Sequence, residues 1–423
     1  MDIKKHEFKK IISSPIFIIL IIIFLIYNSF LIYEKSYVRN DLKVLNEIVD
    51  NVGYEINDDM MVEFKRYYKE NLEEADVVIN EKTSKKYESI NEFFKSDNSI
   101  NRGGDSVYSK EDIKLFNKVV NIESYYNGIE ILDKKYEDID ISEFAKGDLE
   151  EGGYSTNVAN VVKGNWDEFE VRFNKLLENG DHRNLFFNGL GYKMHSFLFK
   201  TIFKTMIYEI MILAVLIMGF IINYEFENKT SLLVYSSKKG REIIKDKLLV
   251  GIGTTVLVTT IIFIFTLGLY FIVFDYSGLW GVPISNYFAQ EFTTPYMSWW
   301  NLSIIEYLIL CIITAYIVEV IFSTIAFIIA KVIKNTYIVF GVFAILVGGG
   351  LVLPTLIPMS WDMVLPTVFT PFTLIFNPSW WFMQKGALQS FKYYECITLV
   401  VWAVGIGLLE IMCIKKFRKE NIN

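Results

Sequence analysis

The chain has 423 residues, a formal net charge of −7 and 52% hydrophobic residues. Its apolar residues lie in long blocks, which excludes an ordinary soluble globular protein. Six blocks reach roughly 17 residues or more, the length that a helix needs to cross a hydrocarbon core of ~30 Å. We therefore predict an all-α polytopic membrane protein with spans at about 16–33, 206–223, 248–274, 302–330, 336–353 and 396–414.

The positive charges near the span ends predict the orientation in the cell membrane. They gather before the first span, between the second and third, between the fourth and fifth, and after the sixth. These four segments share one side, so both termini are expected in the cytoplasm. Lys200 and Lys204 oppose this orientation but are outnumbered. The supporting residues are Lys4, Lys5, Lys9, Lys10, Lys238, Lys239, Arg241, Lys245, Lys247, Lys331, Lys334, Lys415, Lys416, Arg418 and Lys419.

Residues 1–15 form a basic lead-in to the first span, 16–33. The segment reads either as an amphipathic helix on the lipids of the inner leaflet or as a solvated tail whose charges serve only orientation.

Residues 34–197 are long enough for a domain, which the orientation places outside the cell. Apolar residues recur there at three- and four-residue steps, so the domain is expected to be mainly helical. Ser109 with Asp112 predicts a helix start, and Asn179-Gly180 predicts a helix end. The segment contains 34 Asp and Glu against 22 Lys and Arg, which argues against a nucleic-acid partner. A substrate-binding lid and a helical spacer without a ligand both remain open.

The membrane domain, residues 198–423, contains an outer segment at 354–390 that is both proline-rich and apolar. Its dense prolines forbid a spanning helix, and its apolar residues disfavour a solvated loop. We predict a re-entrant pair of short helices before the sixth span, with a flat interfacial loop as the alternative. Five of the eight prolines of the chain lie here: Pro354, Pro358, Pro366, Pro371 and Pro378.

Four carboxylates fall within or near the predicted spans: Glu209, Glu306, Glu319 and Glu410. An acidic side chain at membrane depth is costly, so each is a candidate for function. Glu319 is the deepest, and a cation or proton site competes there with a structural hydrogen bond. For the other three the structural interpretation is favoured.

No catalytic set is recognisable, and the chain is not expected to be an enzyme. It lacks the glycine-rich phosphate-binding motif that ends in Gly-Lys-Ser/Thr. The three histidines lie outside the spans, which disfavours an intramembrane metalloprotease, and no metal site is predicted. They are His6, His182 and His195.

Between the second and third spans lies an elbow, residues 225–247, that is basic and mostly helical. Its residues follow a fixed order. Two acidic residues come first, and they are followed by a threonine, an apolar pair, two serines, Gly-Arg and two lysines. With six spans and the outer hairpin, this pattern resembles the permease subunits of ATP-binding-cassette exporters of the type-2 class. The residues that carry the resemblance are Glu225, Glu227, Thr230, Leu232, Leu233, Tyr235, Ser236, Ser237, Gly240, Arg241, Lys245 and Lys247.

The resemblance implies that 230–235 is a coupling helix that seats in a groove of a separate ATPase, with Arg241 and Lys247 as flanking anchors. ATP and Mg would then bind to the partner ATPase, and this chain would bind no cofactor. A second permease, identical or different, would complete the transporter. The large insert after the first span departs from the smaller drug exporters, so the substrate stays open among peptide, antibiotic, lipid-like molecule and ion.

Two other functions compete with export. In the first, the outer domain of a non-transporting receptor, sensor or immunity protein binds an antimicrobial peptide or envelope component, and the elbow signals inward. In the second, the elbow is only a basic interfacial loop that binds lipid headgroups. A co-purifying ATPase would favour export, and a co-purifying kinase would favour a receptor.

Overall fold

The structure is a computed structural model that describes residues 3–96, 107–186, 192–236, 238–285, 296–384 and 388–419. Across these ranges the chain is helical, with only isolated β-bridges. Ser237 of the elbow and Lys385 of the proline-rich segment lie outside the described residues. In chain order the helices are α1 (Ile3–Ile12), α2 (Pro15–Lys35), α3 (Arg39–Val52), α4 (Asp58–Thr83), α5 (Ile90–Ser96), α6 (Lys110–Glu130), α7 (Leu132–Glu137), α8 (Ile141–Glu151), α9 (Thr156–Asn179), α10 (Tyr192–Ser196), α11 (Lys204–Glu227), α12 (Ser231–Tyr235), α13 (Lys238–Val273), α14 (Ile304–Val332), α15 (Thr336–Leu356), α16 (Val364–Val368), α17 (Pro371–Phe376) and α18 (Tyr394–Lys419).

Six helices are long and apolar enough to cross a membrane, and they coincide with the six predicted blocks. They are α2, α11, α13, α14, α15 and α18. The prediction of a helical chain with six potential membrane spans is therefore confirmed. Their ends differ from the predicted ones by several residues, since helical hydrogen bonding continues into polar sequence at most termini.

The six helices are not equally enclosed. In the most apolar 18-residue stretch of α11, 72% of the residues are buried within the protein. In the corresponding stretch of α14, 61% of the residues are buried. The corresponding value is only 17% for α2 and 22% for α15 and α18. Helix α11 packs against α2, α13, α14 and α15. It is therefore the central helix, whereas α2, α15 and α18 turn apolar faces outward.

The first span is continuous with the helical insert. A 3-10 turn, Ser36–Val38, joins α2 to α3, so that helical structure runs without a break from Pro15 to Val52. Displacement of α2 would therefore be carried into the insert.

The insert between the first two spans is built from α3 to α9. The start of α6 is the predicted one, because Ser109 and Asp112 form a capping box. The end of α9 is also as predicted: Gly180 follows with φ 71°, a conformation that glycine adopts without steric cost. Apolar faces of these helices meet in cores that include Phe64, Phe116, Ile122, Tyr136 and Phe169.

The proline-rich segment contains two short helices, α16 and α17, followed by a 3-10 turn, Pro378–Trp380. They pack against α15 and α18. The buried Trp381 indole donates to the carbonyl of Leu374 at 2.8 Å, and the Tyr394 hydroxyl donates to that of Val368 at 2.6 Å. Proline thus breaks the segment into short helices, while its apolar side chains find partners within the protein.

The insert rests directly on the loops between the spans. Asn46 donates to the carbonyl of Asp275 at 2.7 Å, and Asn157 donates to the Asp362 carboxylate at 2.7 Å. The Arg172 guanidinium donates to the carbonyl of Ser298 at 3.1 Å. These contacts come from α3, the start of α9 and its middle, so the insert is seated at several separate points.

Candidate coupling site

The elbow between α11 and α13 is a compact structure rather than an open loop. After α11 the chain turns at Lys229, which has φ 57°, and the amide of Thr230 donates to the carbonyl of Glu225 at 2.8 Å. The one-and-a-half turns of α12 follow, and α13 begins three residues later. More than half of the predicted elbow therefore belongs to the two long helices, and α12 is the part that projects from them.

Two leucines of α12 lie exposed. Leu232 is 62% accessible and Leu233 is 82% accessible. Tyr235, at the end of the same helix, is fully buried. An exposed apolar pair on a helix that is anchored at one end is a feature of a surface that binds another apolar surface.

Tyr235 anchors α12 through its ring and its hydroxyl. The ring stacks on Phe226 with centroids 5.7 Å apart and meets the edge of Phe417 of α18 at 5.3 Å. The hydroxyl donates to Oε2 of Glu225 at 3.0 Å. Burial, with the adjacent Glu225 carboxylate, raises the pKa of Tyr235, so the hydroxyl stays protonated and able to donate.

Beneath α12 lies a cluster of four charged residues, which we call the charge cluster: Glu7, Lys10, Glu225 and Lys247. Lys247 is fully buried and contacts the Glu225 carboxylate; its ammonium also donates to the carbonyl of Ile221 at 2.6 Å. Lys10 Nζ lies 2.9 Å from Glu225 Oε1 and 2.7 Å from Glu7 Oε1. The two ammonium groups and two carboxylates balance, which is what a buried charge requires.

Lys10 shows how the cluster offsets the cost of burial. Burial alone would lower the pKa of Lys10, but hydrogen bonds to Glu7 and Glu225 outweigh it, so that the pKa is raised. The cluster thus joins α1 to α11 and α13 through charged hydrogen bonds, which are stronger than neutral ones.

Other predicted elbow residues attach it to the later spans. Arg241 donates to the carbonyl of Tyr235 at 3.3 Å and to that of Arg418 in α18 at 3.1 Å. Glu227 accepts from the backbone amide of Thr336, the first residue of α15, at 2.7 Å. The elbow is therefore connected to α1, α15 and α18 as well as to its own two helices.

Sequence reasoning missed Glu7 and Lys10 as members of this site. They lie some 215 residues from Glu225, and their pairing depends on where α1 lies beside α11 and α13. The available signal was an acidic residue within a strongly basic helix, three positions before a lysine, which places both on one face.

The four predicted membrane carboxylates have different surroundings. Glu209 accepts from Asn28 of α2 at 2.8 Å, and Asn28 also donates to Thr266 of α13 at 3.2 Å. Glu306 lies in the first turn of α14, where it forms a capping box with Ser303. Glu410 is half-buried on α18.

Among these four carboxylates, Glu319 alone is both enclosed and without a hydrogen bond to any described residue. It is 1% accessible, and neither carboxylate oxygen has a partner there. Ser323, one turn further along α14, pairs with Thr255 of α13 at 3.2 Å. Glu319 therefore lies one turn from a polar contact between α13 and α14 without joining it.

Within the described ranges, no group of three or more His, Cys, Asp or Glu side chains is arranged to hold a metal ion. No family model, no curated protein and no solved structure matches this chain. The fold and the site define a helical chain with six potential membrane spans and an anchored elbow.

Proposed function

We propose that this chain is the multi-pass membrane permease subunit of an ATP-binding-cassette exporter. A separate cytoplasmic ATPase, which binds ATP and Mg, would drive it. The main support for this proposal is the arrangement of α12. This helix exposes Leu232 and Leu233 to solvent, while Tyr235 holds it against the charge cluster.

The energetics of α12 suit a docking element. Fully burying a leucine side chain is worth about 1.5–3 kcal/mol, so the pair can contribute substantially to binding a groove. A force applied to α12 would reach α11 and α13 directly, and α15 and α18 through Glu227 and Arg241. Because α11 is the central helix, such a force would act on the whole bundle.

Export by this mechanism requires two states that the ATPase contacts differently, since a ligand shifts a conformational equilibrium only by its differential affinity. It also requires a second permease, because six spans form half of such a transporter. The outward apolar faces of α2, α15 and α18 are available to this second copy or to membrane lipids. The helical insert would lie outside the cell, and α16 with α17 would form the re-entrant hairpin.

The experiment that tests this proposal replaces Leu232 and Leu233 together by Asp and measures co-purification of an ATPase from the native membrane. Burying two carboxylates in an apolar groove would cost several kcal/mol, on the order of the penalty for unpaired buried charge. We expect normal expression and loss of the ATPase.

Lys229→Asp is the matched control. It changes the net charge by the same two units, at an exposed position of the same turn. The ATPase should remain bound to this variant. Retention of the ATPase by the Leu232→Asp/Leu233→Asp protein would exclude α12 as the coupling element.

A non-transporting receptor is the alternative, and one observation favours it. The unbroken helical path from Pro15 to Val52 connects the insert to the α1–α2 region, and α1 contributes Glu7 and Lys10 to the charge cluster. A ligand such as an antimicrobial peptide on the insert could then signal to the elbow. Co-purification of a kinase in place of an ATPase would support this function.

A further inference from the structure

A cleft of ≈ 290 Å³ lies where α9 of the insert meets the loops that precede α14 and α18. Five lining residues come from α9, and the four polar ones recur at spacings of three and four: Glu168, Arg172, Lys175 and Asn179; the fifth is Val171. This spacing places them on one face of the helix. The opposite wall is formed by Trp299, Trp300, Asn301 and Lys392.

The charge of this cleft contrasts with that of the insert as a whole. Residues 34–197 carry 34 acidic and 22 basic side chains, a net charge of −12. The cleft is lined by three cationic side chains, Arg172, Lys175 and Lys392, against the single carboxylate Glu168. With Asp181 behind Arg172 counted as well, the cleft region keeps one net positive charge within an acidic domain, which favours an anionic ligand.

Two of the cations are held in position. Arg172 is fixed from behind by Asp181 at 3.2 Å and by the carbonyl of Ser298. Lys392 lies over the Trp300 ring at 5.0 Å and is 3.6 Å from Glu168. Lys175 forms no ion pair with any described residue and is exposed. The cleft therefore has a preorganised arrangement with one cation free to bind.

A second observation points to a ligand. Trp299 lines the cleft and is 4% accessible, yet its indole N–H has no hydrogen-bond acceptor among the described residues. A buried donor without an acceptor costs about 1–3 kcal/mol. The side chain amides of Asn179 and Asn301 add further donors to the same lining.

From this arrangement we infer that the cleft binds a phosphate group. A phosphate group offers several acceptor oxygens and at least one negative charge, which matches one cation unpaired among the described residues, two anchored cations and neutral donors. A single carboxylate would satisfy fewer of them. The cleft lies just before the first turns of α14 and α18, where Trp300 and Tyr393 meet at 5.2 Å. Aromatic residues at the ends of spans mark the headgroup level of a membrane, so the phosphate can come from a lipid or from solution.

The test uses the full chain in dodecyl maltoside, a detergent that carries no phosphate, and measures binding by calorimetric titration. One arm adds dioctanoyl phosphatidic acid and the other adds inorganic phosphate. Binding of the lipid alone assigns the site to a membrane headgroup, and binding of both with similar affinity assigns it to free phosphate. If neither ligand binds, the inference is wrong.

Substitutions in the lining of the cleft test whether the phosphate binds there. Lys175→Gln with Lys392→Gln should weaken it at least tenfold, and Trp299→Phe, which keeps the ring but removes the donor, should weaken it by a smaller factor. Lys163→Gln is the matched control, because Lys163 is an exposed residue of α9 that does not line the cleft. The same loss in the control as in the double variant would overturn the assignment. Should the double variant fail to fold, Lys175→Gln alone, at an exposed position, gives the same discrimination.

This inference does not depend on the coupling proposal. Phosphate binding is measured without an ATPase and in detergent, where both faces are accessible. Its failure would leave the role of α12 intact, and failure of the α12 experiment would leave the cleft intact.

Discussion

At the scale of single residues, Glu319 is the side chain whose position is hardest to explain by stability. It is enclosed, and its two carboxylate oxygens lack hydrogen bonds within the described ranges. An unsatisfied buried polar group costs about 1–3 kcal/mol. A residue that lowers the stability of this conformation is a candidate for a role in a second conformation. There, water or a hydrogen-bond partner would reach the carboxylate.

We predict that Glu319→Leu raises the melting temperature of the purified protein, because it removes the unsatisfied group and fills the same space with apolar atoms. Glu319→Gln should leave the melting temperature nearly unchanged. If the carboxylate acts in the proposed export cycle, both variants should lower ATP turnover by the complex with the proposed ATPase.

Glu410→Gln serves as the control for this experiment, since Glu410 is half-buried on the peripheral α18. A fall in melting temperature in Glu319→Leu would show that Glu319 has a structural partner. Unchanged turnover in both Glu319 variants would exclude a role in the cycle.

The depth of Glu319 was readable from the sequence, whereas its lack of partners was not. The nearby hydroxyls on α14 are engaged elsewhere: Ser323 pairs with Thr255, and Thr324 donates to the carbonyl of Val320. Asn28, the partner of Glu209, was not singled out, although an asparagine within an apolar run of 18 residues is itself a signal.

At the scale of elements, the sequence predicted the six long helices well because length and hydrophobicity alone specify them. The elbow was predicted as a segment, but its internal division was not. Helical hydrogen bonding in α13 begins at Lys238, ten residues before the predicted start of the third span. The charge cluster explains this, because Lys247 is neutralised by residues from α1 and α11.

The charge cluster should be the main structural support of α12. We predict that Lys247→Met lowers the unfolding free energy by about 3–5 kcal/mol, the usual effect of removing one partner of a buried ion pair. It leaves Glu225 with Lys10 as its one remaining cation in the cluster. The change is measured as a fall in the melting temperature of the detergent-solubilised protein.

Lys245→Met is the matched control, two residues away and exposed, and should have little effect. Adding Glu225→Gln to Lys247→Met should recover much of the loss, because Lys10 and Glu7 then remain as a neutral pair at 2.7 Å. Equal destabilisation by Lys245→Met and Lys247→Met would show that the effect of Lys247→Met does not come from its burial in the charge cluster.

At the scale of the whole molecule, the insert, the central bundle and the elbow form a connected structure. The insert is seated on the loops through Arg172, Asn46 and Asn157, and the elbow is attached to both early and late helices. A movement at α12 is therefore transmitted to α11, which contacts most of the other spans. The sequence could predict the existence of each part, but these contacts link residues far apart in the chain and depend on the packing.

The last prediction concerns the sides of the membrane on which the insert and the elbow lie. It rests on the excess of Lys and Arg in four alternate segments, which places the insert outside and α12 inside. In a background where Cys311, Cys396 and Cys413 are replaced by serine, Ser84→Cys should react with an impermeant thiol reagent on intact cells. Ser84 follows α4 and is exposed.

Two further positions complete this experiment. Asn160→Cys, at an exposed site on α9, should also label on intact cells; it is preferable to Ser155, which is half-buried and donates to Asp362. Lys229→Cys, at the exposed turn before α12, should label only after lysis. Because six spans fix the insert and the elbow on opposite sides, labelling of Lys229→Cys on intact cells together with protection of Ser84→Cys would reverse the orientation. An ATPase in the cytoplasm could then not reach Leu232 and Leu233, and the coupling proposal would fail with the topology.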